Sequence, residues 1–246
     1  MLPELTVERV FVLGLPVDRV SLAQTEEVLK SFLESDGTKL VFTADSHAFI
    51  CAETDPSFRR CFSEAALITP DSAGPAWALG QYGKPVPGRV SGVDLVEVLC
   101  RISATTGATM YFLGGAPGVA EAAVRNLSLK HPGCNILGCR DGFFGDLSDE
   151  AVAENIATLK PDILVVAMGM PRQELFILDT ATTIRAKIGI GVGGSLDVHS
   201  GTVKRAPKLF QTLRIEWLWR LLLNPRKFEK VKNLPKFYLS VRRAQK

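Results

Sequence analysis

Three motifs that mark common enzyme classes are missing from this sequence. It has no Asp-x-Asp pair for a metal–diphosphate complex, no Gly-x-Ser-x-Gly elbow and no Gly-x-x-x-x-Gly-Lys-Ser/Thr loop. These absences argue against metal-dependent transfer, serine hydrolysis and ATP hydrolysis. The histidines, His47, His131 and His199, are scattered without ligand spacing. We therefore expect no metal site.

Paired cysteines and long apolar runs are also missing. The five cysteines are odd in number and form no Cys-x-x-Cys pair, so neither a disulfide framework nor a zinc site is indicated. No stretch approaches the ~20 apolar residues that span a bilayer, and the first residues do not resemble a signal peptide. We expect a cytoplasmic protein.

Acidic residues become scarce near the end of the chain. Residues 204–246 hold 13 of the 29 Lys and Arg but 2 of the 26 Asp and Glu. This asymmetry divides the chain into a domain of catalytic size at 1–202 and a basic, tryptophan-containing appendage at 203–246. A basic segment on an acidic body indicates an anionic partner.

The hydrophobic pattern predicts an α/β fold. Short runs rich in Val, Ile and Phe read as buried strands at 10–14, 39–43, 110–115, 162–169 and 188–194. Stretches of helical period alternate with them at 21–34, 92–106, 116–130 and 172–186. This alternation favours a doubly wound, mainly parallel sheet with helices on both faces.

Polar residues follow several predicted strands, where sheets of this kind bind ligands. Thr43 and Asp45 lie at the terminus of one strand, and Asp71 follows an apolar run before a helix. A carboxylate at such a position can act as a general base, but both aspartates could equally cap a helix. Arg89, on a loop before a helix begun by Ser91, could bind phosphate or lie in solvent.

Two glycine-rich segments could receive an anion or a nucleotide. Gly114 and Gly115 open a strand-to-helix turn, where backbone N–H groups can bind an anion. Residues 189–194 satisfy Gly-x-Gly-x-x-Gly, but the chain then enters the basic appendage instead of another strand. A dinucleotide-binding unit is therefore not predicted, although a nucleotide could still lie on this loop.

A third polar group begins the helix after the strand at 162–169. It comprises Arg172, Gln173 and Glu174. The amide could bind sugar hydroxyls, whereas the two charged residues could simply be solvated.

Taken in order, these segments resemble the WecG/TagA/CpsF glycosyltransferases of bacterial wall teichoic acid, enterobacterial common antigen and exopolysaccharide synthesis. The similarity covers nearly the whole chain. It is carried by VFTAD (41–45), Asp71, GRVSGVDL (88–95), YFLGGAPGVAE (111–121), PDILVVAMGMPRQE (161–174), GVGGSLDVHSGTVKRAP (191–207) and EWLWRLLLNPRK (216–227).

The resemblance implies an inverting, metal-independent transferase that needs no cofactor. Its donor would be a UDP-sugar, often UDP-N-acetylmannosamine, and its acceptor an undecaprenyl-diphosphate-linked N-acetylglucosamine. Some relatives use uronic or other sugars. The protein would then be peripheral on the inner face of the cell membrane.

The resemblance also implies roles for individual residues. Asp71 corresponds to the general base, with Thr43 and Asp45 in the same cleft, although the family usually has asparagine at the position of Asp45. Arg89 would meet the donor diphosphate and Gln173 would hold the sugar. The nucleoside-binding segment would run from Gly191 through Gly193, Gly194 and Ser195 to Asp197.

For the appendage, the resemblance implies residues that close the active site and meet the membrane. They correspond here to Arg220, Lys227 and Lys230, which would share one face of a helix. Lysine keeps the charge of the family's arginines but lacks the bidentate fork. Tryptophans beside these bases suit an anionic membrane surface, whereas no nucleic-acid motif accompanies the charge.

Two other functions stay open at this stage. The glycine loop could belong to a nucleotide-dependent oxidoreductase, and the basic appendage could make the chain a non-enzymatic membrane-binding module. A homo-oligomer is also open, because apolar helices such as 92–106 suit a core or an interface equally.

Overall fold

A six-stranded parallel sheet organises the fold. The computed structural model describes residues 7–86, 88–207, 210, 219 and 233–245. Its strands are β1 (Glu8–Val12), β2 (Leu15–Arg19), β3 (Lys39–Ala44), β4 (Leu67–Pro70), β5 (Thr109–Gly114), β6 (Asn135–Arg140), β7 (Ile163–Ala167) and β8 (Ile188–Gly191). The sheet order is β4-β3-β8-β7-β5-β6, and every neighbouring pair is parallel. The carboxyl ends of these six strands therefore share one edge.

Helices cover both faces of this sheet, which confirms the predicted doubly wound fold. They are α1 (Leu22–Leu33), α2 (Ser46–Cys51), α3 (Pro56–Glu64), α4 (Ala73–Gln81), α5 (Gly92–Thr106), α6 (Val119–Lys130), α7 (Asp149–Ala157), α8 (Arg172–Asp179), α9 (Ala181–Ile184), α10 (Ser195–His199) and α11 (Asn233–Ala244). Alternate strand residues enter two separate cores. In β3, Phe42 packs with α2, α3 and α8, whereas Val41 packs with α1 and α5.

Strand β8 has a different residue type on each face. Ile188 and Ile190 are fully buried in the core beside α1, α5 and α6. On the other face, a Cβ at Gly189 would lie 2.3 Å from Cγ2 of Ile177 in α8. The glycines therefore let α8 lie directly against the sheet, and this close packing sets the position of the residues at the start of α8.

The first predicted strand, at 10–14, does not belong to the parallel sheet. It forms β1, which pairs antiparallel with β2 in a separate hairpin, and Phe11 is 61% exposed. Buried Asp18 of this hairpin accepts a hydrogen bond of 2.7 Å from the Ile68 N–H and binds Arg9 through both oxygens. The hairpin thus covers the edge of β4, which would otherwise present unpaired backbone groups.

The last described helix shares the core of the domain, although it lies within the predicted appendage. Phe237 and Val241 of α11 are fully buried in the same core as Phe42. The Phe237 ring lies 5.4 Å from that of Phe49 in α2, and the Tyr238 ring lies 4.6 Å from that of Trp77 in α4. Residues 233–244 of the predicted appendage therefore pack on the domain.

Candidate active site

A polar cleft lies at the carboxyl ends of β3, β4, β7 and β8. It encloses about 450 Å³, counting the space open to solvent. Four of its lining residues are sequence candidates for catalysis, and the others come mainly from the turns that follow the strands. The lining residues are Thr43, Asp45, Asp71, Gly92, Val93, Met170, Gln173, Val192, Gly193, Gly194 and Ser195.

Asp71 is held between two elements of the cleft. It follows β4 directly, and its backbone N–H donates to the Ala44 carbonyl at 3.1 Å. Its side-chain Oδ1 accepts a hydrogen bond of 3.1 Å from the N–H of Gly92, the first residue of α5. The partial positive charge of a helix N-terminus favours a charged carboxylate here. Ser72, not Asp71, occupies the N-cap position of α4.

Asp45 and Thr43 have structural roles while lining the same cleft. Asp45 caps α2, since its Oδ1 accepts from the Ala48 N–H at 3.0 Å. The capping alternative therefore holds for Asp45, and capping does not remove it from the cleft. The hydroxyl of Thr43 donates to the Gly191 carbonyl at 2.8 Å, which joins β3 to β8.

Gln173 forms the buried floor of the cleft. Its Oε1 accepts hydrogen bonds from the N–H groups of Gly169 at 3.1 Å and Gly193 at 2.9 Å. Its Nε2 donates to Oε1 of Glu174 at 2.6 Å. These bonds tie the turn after β7 to the turn after β8, so Gln173 shapes the cleft through its backbone partners.

The two charged neighbours of Gln173 differ in exposure. Glu174 is fully buried, so the solvated alternative for this residue is wrong. The side chain of Arg172 is 50% exposed, and its guanidinium stacks on the Phe144 ring at 4.8 Å. Arg172 therefore lies beside the cleft and is absent from the described lining.

The glycine candidates separate into two groups. Gly193 and Gly194 line the cleft beside Ser195, whose hydroxyl donates to the Val192 carbonyl at 2.6 Å. Gly191 is a buried residue of β8, where a Cβ would lie 2.6 Å from Nε2 of Gln173. Gly189 and Gly191 thus serve strand packing, so two of the three glycines in the Gly-x-Gly-x-x-Gly pattern do not lie in a turn.

The remaining sequence candidates are not among the described residues that line the cleft. They are Gly114, Gly115 and Asp197. A Cβ at Gly114 would lie 2.4 Å from the Ala167 carbonyl oxygen, so this glycine allows close contact between β5 and β7. Gly115 continues that contact, with its N–H donating to the same carbonyl at 3.0 Å. Asp197 lies in α10, and the Val203 N–H donates to its carbonyl at 2.9 Å.

A basic pocket adjoins the cleft and contains Arg89. It shares Val93 with the cleft, and its other charged lining residues are Lys204 and Arg205. Sequence reasoning found Arg89 but missed the other two, although both lie in the segment at 191–207 that carries the family resemblance. This concentration of positive charge beside the cleft can bind an anion.

Arg205 is fixed by an ion pair at the start of α5. Its Nη2 lies 2.6 Å from Oδ1 of Asp94, whose other oxygen accepts from the Ser91 hydroxyl at 2.6 Å. Burial opposes the charged form of Asp94, but the Ser91 hydrogen bond and the charges of Arg205 and Arg89 hold its pKa below the ordinary value. Asp94 is therefore charged at neutral pH and joins the basic pocket to α5.

Several predictions fall on residues that the structure does not describe. Arg220, Lys227 and Lys230 lie outside the described residues.

Within the described ranges, no three His, Cys, Asp or Glu residues are arranged to hold a metal ion. Among these residues, no helix has the length and apolar character needed to cross a membrane.

Comparison with known proteins extends the likeness over almost the whole chain. The family model described as "Glycosyl transferase WecG/TagA/CpsF family" matches residues 10–246. A protein of Staphylococcus aureus strain MRSA252 is 31% identical over 240 residues, which cover 97% of this chain and 94% of that protein. The corresponding protein of strain NCTC 8325 / PS 47 is 30% identical with the same coverage. Both are named N-acetylglucosaminyldiphosphoundecaprenol N-acetyl-beta-D-mannosaminyltransferase. This agreement shows that the chain belongs to the WecG/TagA/CpsF family of glycosyltransferases.

Proposed function

We propose that this enzyme transfers N-acetylmannosamine, or a closely related sugar, from a UDP donor to an undecaprenyl-diphosphate-linked N-acetylglucosamine. Similarity along nearly the full length of two relatives named for this reaction carries the proposal. The product would be an intermediate of cell-surface polysaccharide or teichoic acid synthesis.

Asp71 is the proposed general base. It lies in the cleft, and the Gly92 N–H together with the start of α5 favours its charged form, which is the form that accepts a proton. It would take the proton of the acceptor hydroxyl as that oxygen attacks the anomeric carbon. A single displacement of this kind inverts the configuration of the sugar.

The basic pocket is proposed to bind the departing diphosphate. Two carboxylates, Asp45 and Asp71, line the cleft, so a diphosphate is repelled there and attracted to the neighbouring pocket. Cations at that position stabilise the negative charge that develops on the leaving group. A metal ion would then be unnecessary, and full turnover in excess EDTA would support metal independence.

Membrane docking from the cytoplasmic side is the third part of the proposal. A polyprenyl acceptor is confined to the bilayer, and the segment at 204–246 has 13 Lys and Arg against 2 Asp and Glu, whereas acids outnumber bases in the rest of the chain. Such segments bind anionic lipid surfaces. The enzyme would thus be peripheral to the membrane.

The test is to incubate the purified full chain with a panel of UDP-sugars and a short-chain lipid-diphosphate-N-acetylglucosamine. UDP release and the mass of the lipid product are measured. Transfer from UDP-N-acetylmannosamine supports the proposal, and transfer from a different UDP-sugar replaces the donor assignment. No transfer from any UDP-sugar, despite UDP binding by calorimetry, would overturn the assigned acceptor.

A further inference from the structure

Three helices meet at Gly74, close to both cleft carboxylates. Gly74 is the second residue of α4 and lies three residues after Asp71. A Cβ at Gly74 would lie 1.8 Å from Oγ of Ser46 and 3.3 Å from Cε1 of Phe237. Ser46 is the first residue of α2 and directly follows Asp45. The backbone of α4 therefore contacts both α2 and α11. The contact lies at the N-terminal ends of α2 and α4, next to the cleft residues Asp45 and Asp71.

Helix α11 is held at this junction by contacts on several sides. Phe237 is fully buried and packs on Phe49 of α2. At the start of α11, the Asn233 side chain lies 2.8 Å from Nδ1 of His47 in α2. Lys236 forms an ion pair of 2.7 Å with Glu53, which follows α2. The helix is therefore a fixed support for α2 and α4.

We propose that Phe237 is a positioning residue for Asp71, acting through Gly74 and the first turn of α4. Only Ser72 and Ala73 separate Asp71 from Gly74, and close-packed interiors transmit small displacements. If Phe237 is truncated, α4 can shift toward the vacated space and draw Asp71 away from Gly92. The proposal rests on the proposed function of Asp71, but the position of Asp71 can be measured without any substrate.

The substrate-free measurement is hydrogen exchange of the Gly92 amide. Gly92 is the first residue of α5, where an N–H has no acceptor within its own helix, and its observed acceptor is Oδ1 of Asp71. Loss of one hydrogen bond of about 1 kcal/mol should accelerate this exchange about fivefold. Amides in the middle of α5 should keep their wild-type rates.

The variants are Phe237→Ala and the conservative Phe237→Leu, with Val241→Ala as the matched control. Val241 is fully buried one turn further along α11, so its truncation also removes apolar volume from this helix. We expect faster Gly92 exchange in Phe237→Ala and wild-type exchange in Phe237→Leu and Val241→Ala. Unchanged Gly92 exchange in Phe237→Ala, or equal acceleration in Val241→Ala, would overturn the proposal.

A second set keeps the test informative if Phe237→Ala does not fold. Gly74→Ala places a methyl group 1.8 Å from Oγ of Ser46 and should displace α4 from the other side. Adding Ser46→Ala removes that oxygen and leaves the new methyl 3.1 Å from Cβ of residue 46. We expect Gly74→Ala to accelerate Gly92 exchange and the double variant to restore most of the protection. Absence of restoration would contradict the role of this junction.

Turnover provides the readout specific to the proposed function. We expect Phe237→Ala to lower kcat at least about tenfold per UDP-binding site, while the Kd for UDP changes less than about threefold. A fall in kcat explained wholly by fewer UDP-binding sites would indicate partial unfolding and contradict positioning. If the wild-type chain transfers no sugar, the proposed function fails while the exchange test still decides the junction.

Discussion

Asp71 is the residue on which the proposed chemistry depends most directly. Asp71→Asn keeps the shape and the oxygen facing Gly92 but removes the basic group. We expect kcat to fall by about 10²- to 10⁴-fold, the usual contribution of a general base, with the melting temperature nearly unchanged. UDP release and thermal unfolding check both parts.

Asp55→Asn is the matched control for this change. Asp55 caps α3 through the Phe58 N–H at 3.1 Å and is absent from the described lining of the cleft. Asparagine caps helices about as well as aspartate. Activity should therefore be retained in Asp55→Asn, and normal activity in Asp71→Asn would show that another group is the base.

At the scale of one residue, the burial of His199 predicts how the free energy of unfolding depends on pH. Burial lowers its pKa below the ordinary value, more than its 3.1 Å hydrogen bond to the Val93 carbonyl raises it. At a pH between the lowered pKa and about 6.5, this histidine is protonated in the unfolded chain but neutral in the folded one. Protonation therefore favours unfolding, so the stability that His199 contributes above about pH 6.5 is lost on acidification. The free energy of unfolding should fall less from pH 7 to 5 in His199→Gln than in the wild type. Urea titrations at each pH measure this free energy. The same fall from pH 7 to 5 in both proteins would refute the contribution of His199.

At the scale of elements, the close packing of β8 against α8 determines the expected outcome of a glycine substitution in that strand. Gly189→Ala places a methyl group 2.3 Å from Cγ2 of Ile177, so α8 must move away from the sheet. Overpacking of this kind typically lowers the free energy of unfolding by about 1–3 kcal/mol. Because Gln173 lies on α8, transfer activity should fall as well.

Gly80→Ala is the opposite case on α4. Gly80 is exposed, and a Cβ there would meet no atom within 4 Å among the described residues. Alanine should stabilise the protein by about 0.4–1 kcal/mol, mainly by restricting the unfolded chain. Chemical denaturation of both variants tests the pair, and similar effects of the two substitutions would contradict the packing argument.

At the scale of the whole molecule, the charge asymmetry predicts binding to anionic membranes. Truncation is a poor test, because α11 places Phe237 and Val241 in the core of the domain. Arg242 and Arg243 are exposed in the last turn of that helix and can be changed without opening the core. Since each basic residue near an anionic surface contributes about 1 kcal/mol, Arg242→Glu with Arg243→Glu should weaken vesicle binding at least about tenfold.

Flotation with phosphatidylglycerol vesicles measures this change, and phosphatidylcholine vesicles give the uncharged reference. Arg125→Glu with Arg185→Glu is the control, because it changes the net charge equally at exposed positions elsewhere. Binding should also weaken as salt rises from 0.1 to about 0.5 M. Equal losses in both double variants would mean that net charge, and not the last helix, determines binding.

Local patterns determined much of this protein. Apolar alternation and helical period identified the main strands, the doubly wound class and the edge at which ligands bind, because these patterns depend on neighbouring residues alone. The strand-end positions of Thr43, Asp45 and Asp71 followed from the same reasoning, and Gln173 from its place at a helix start. The resemblance supplied the reaction class, which local physics could not.

Other features depended on contacts between distant segments. Tertiary structure decided that residues 10–14 form a hairpin over the sheet edge, and that the glycines of β8 face a helix. It also decided that Asp71 accepts a hydrogen bond from Gly92, 21 residues away, and that Phe237 reaches Gly74 from the last helix. Sequence spacing does not specify such pairs, since the order in which strands join the sheet determines which segments meet.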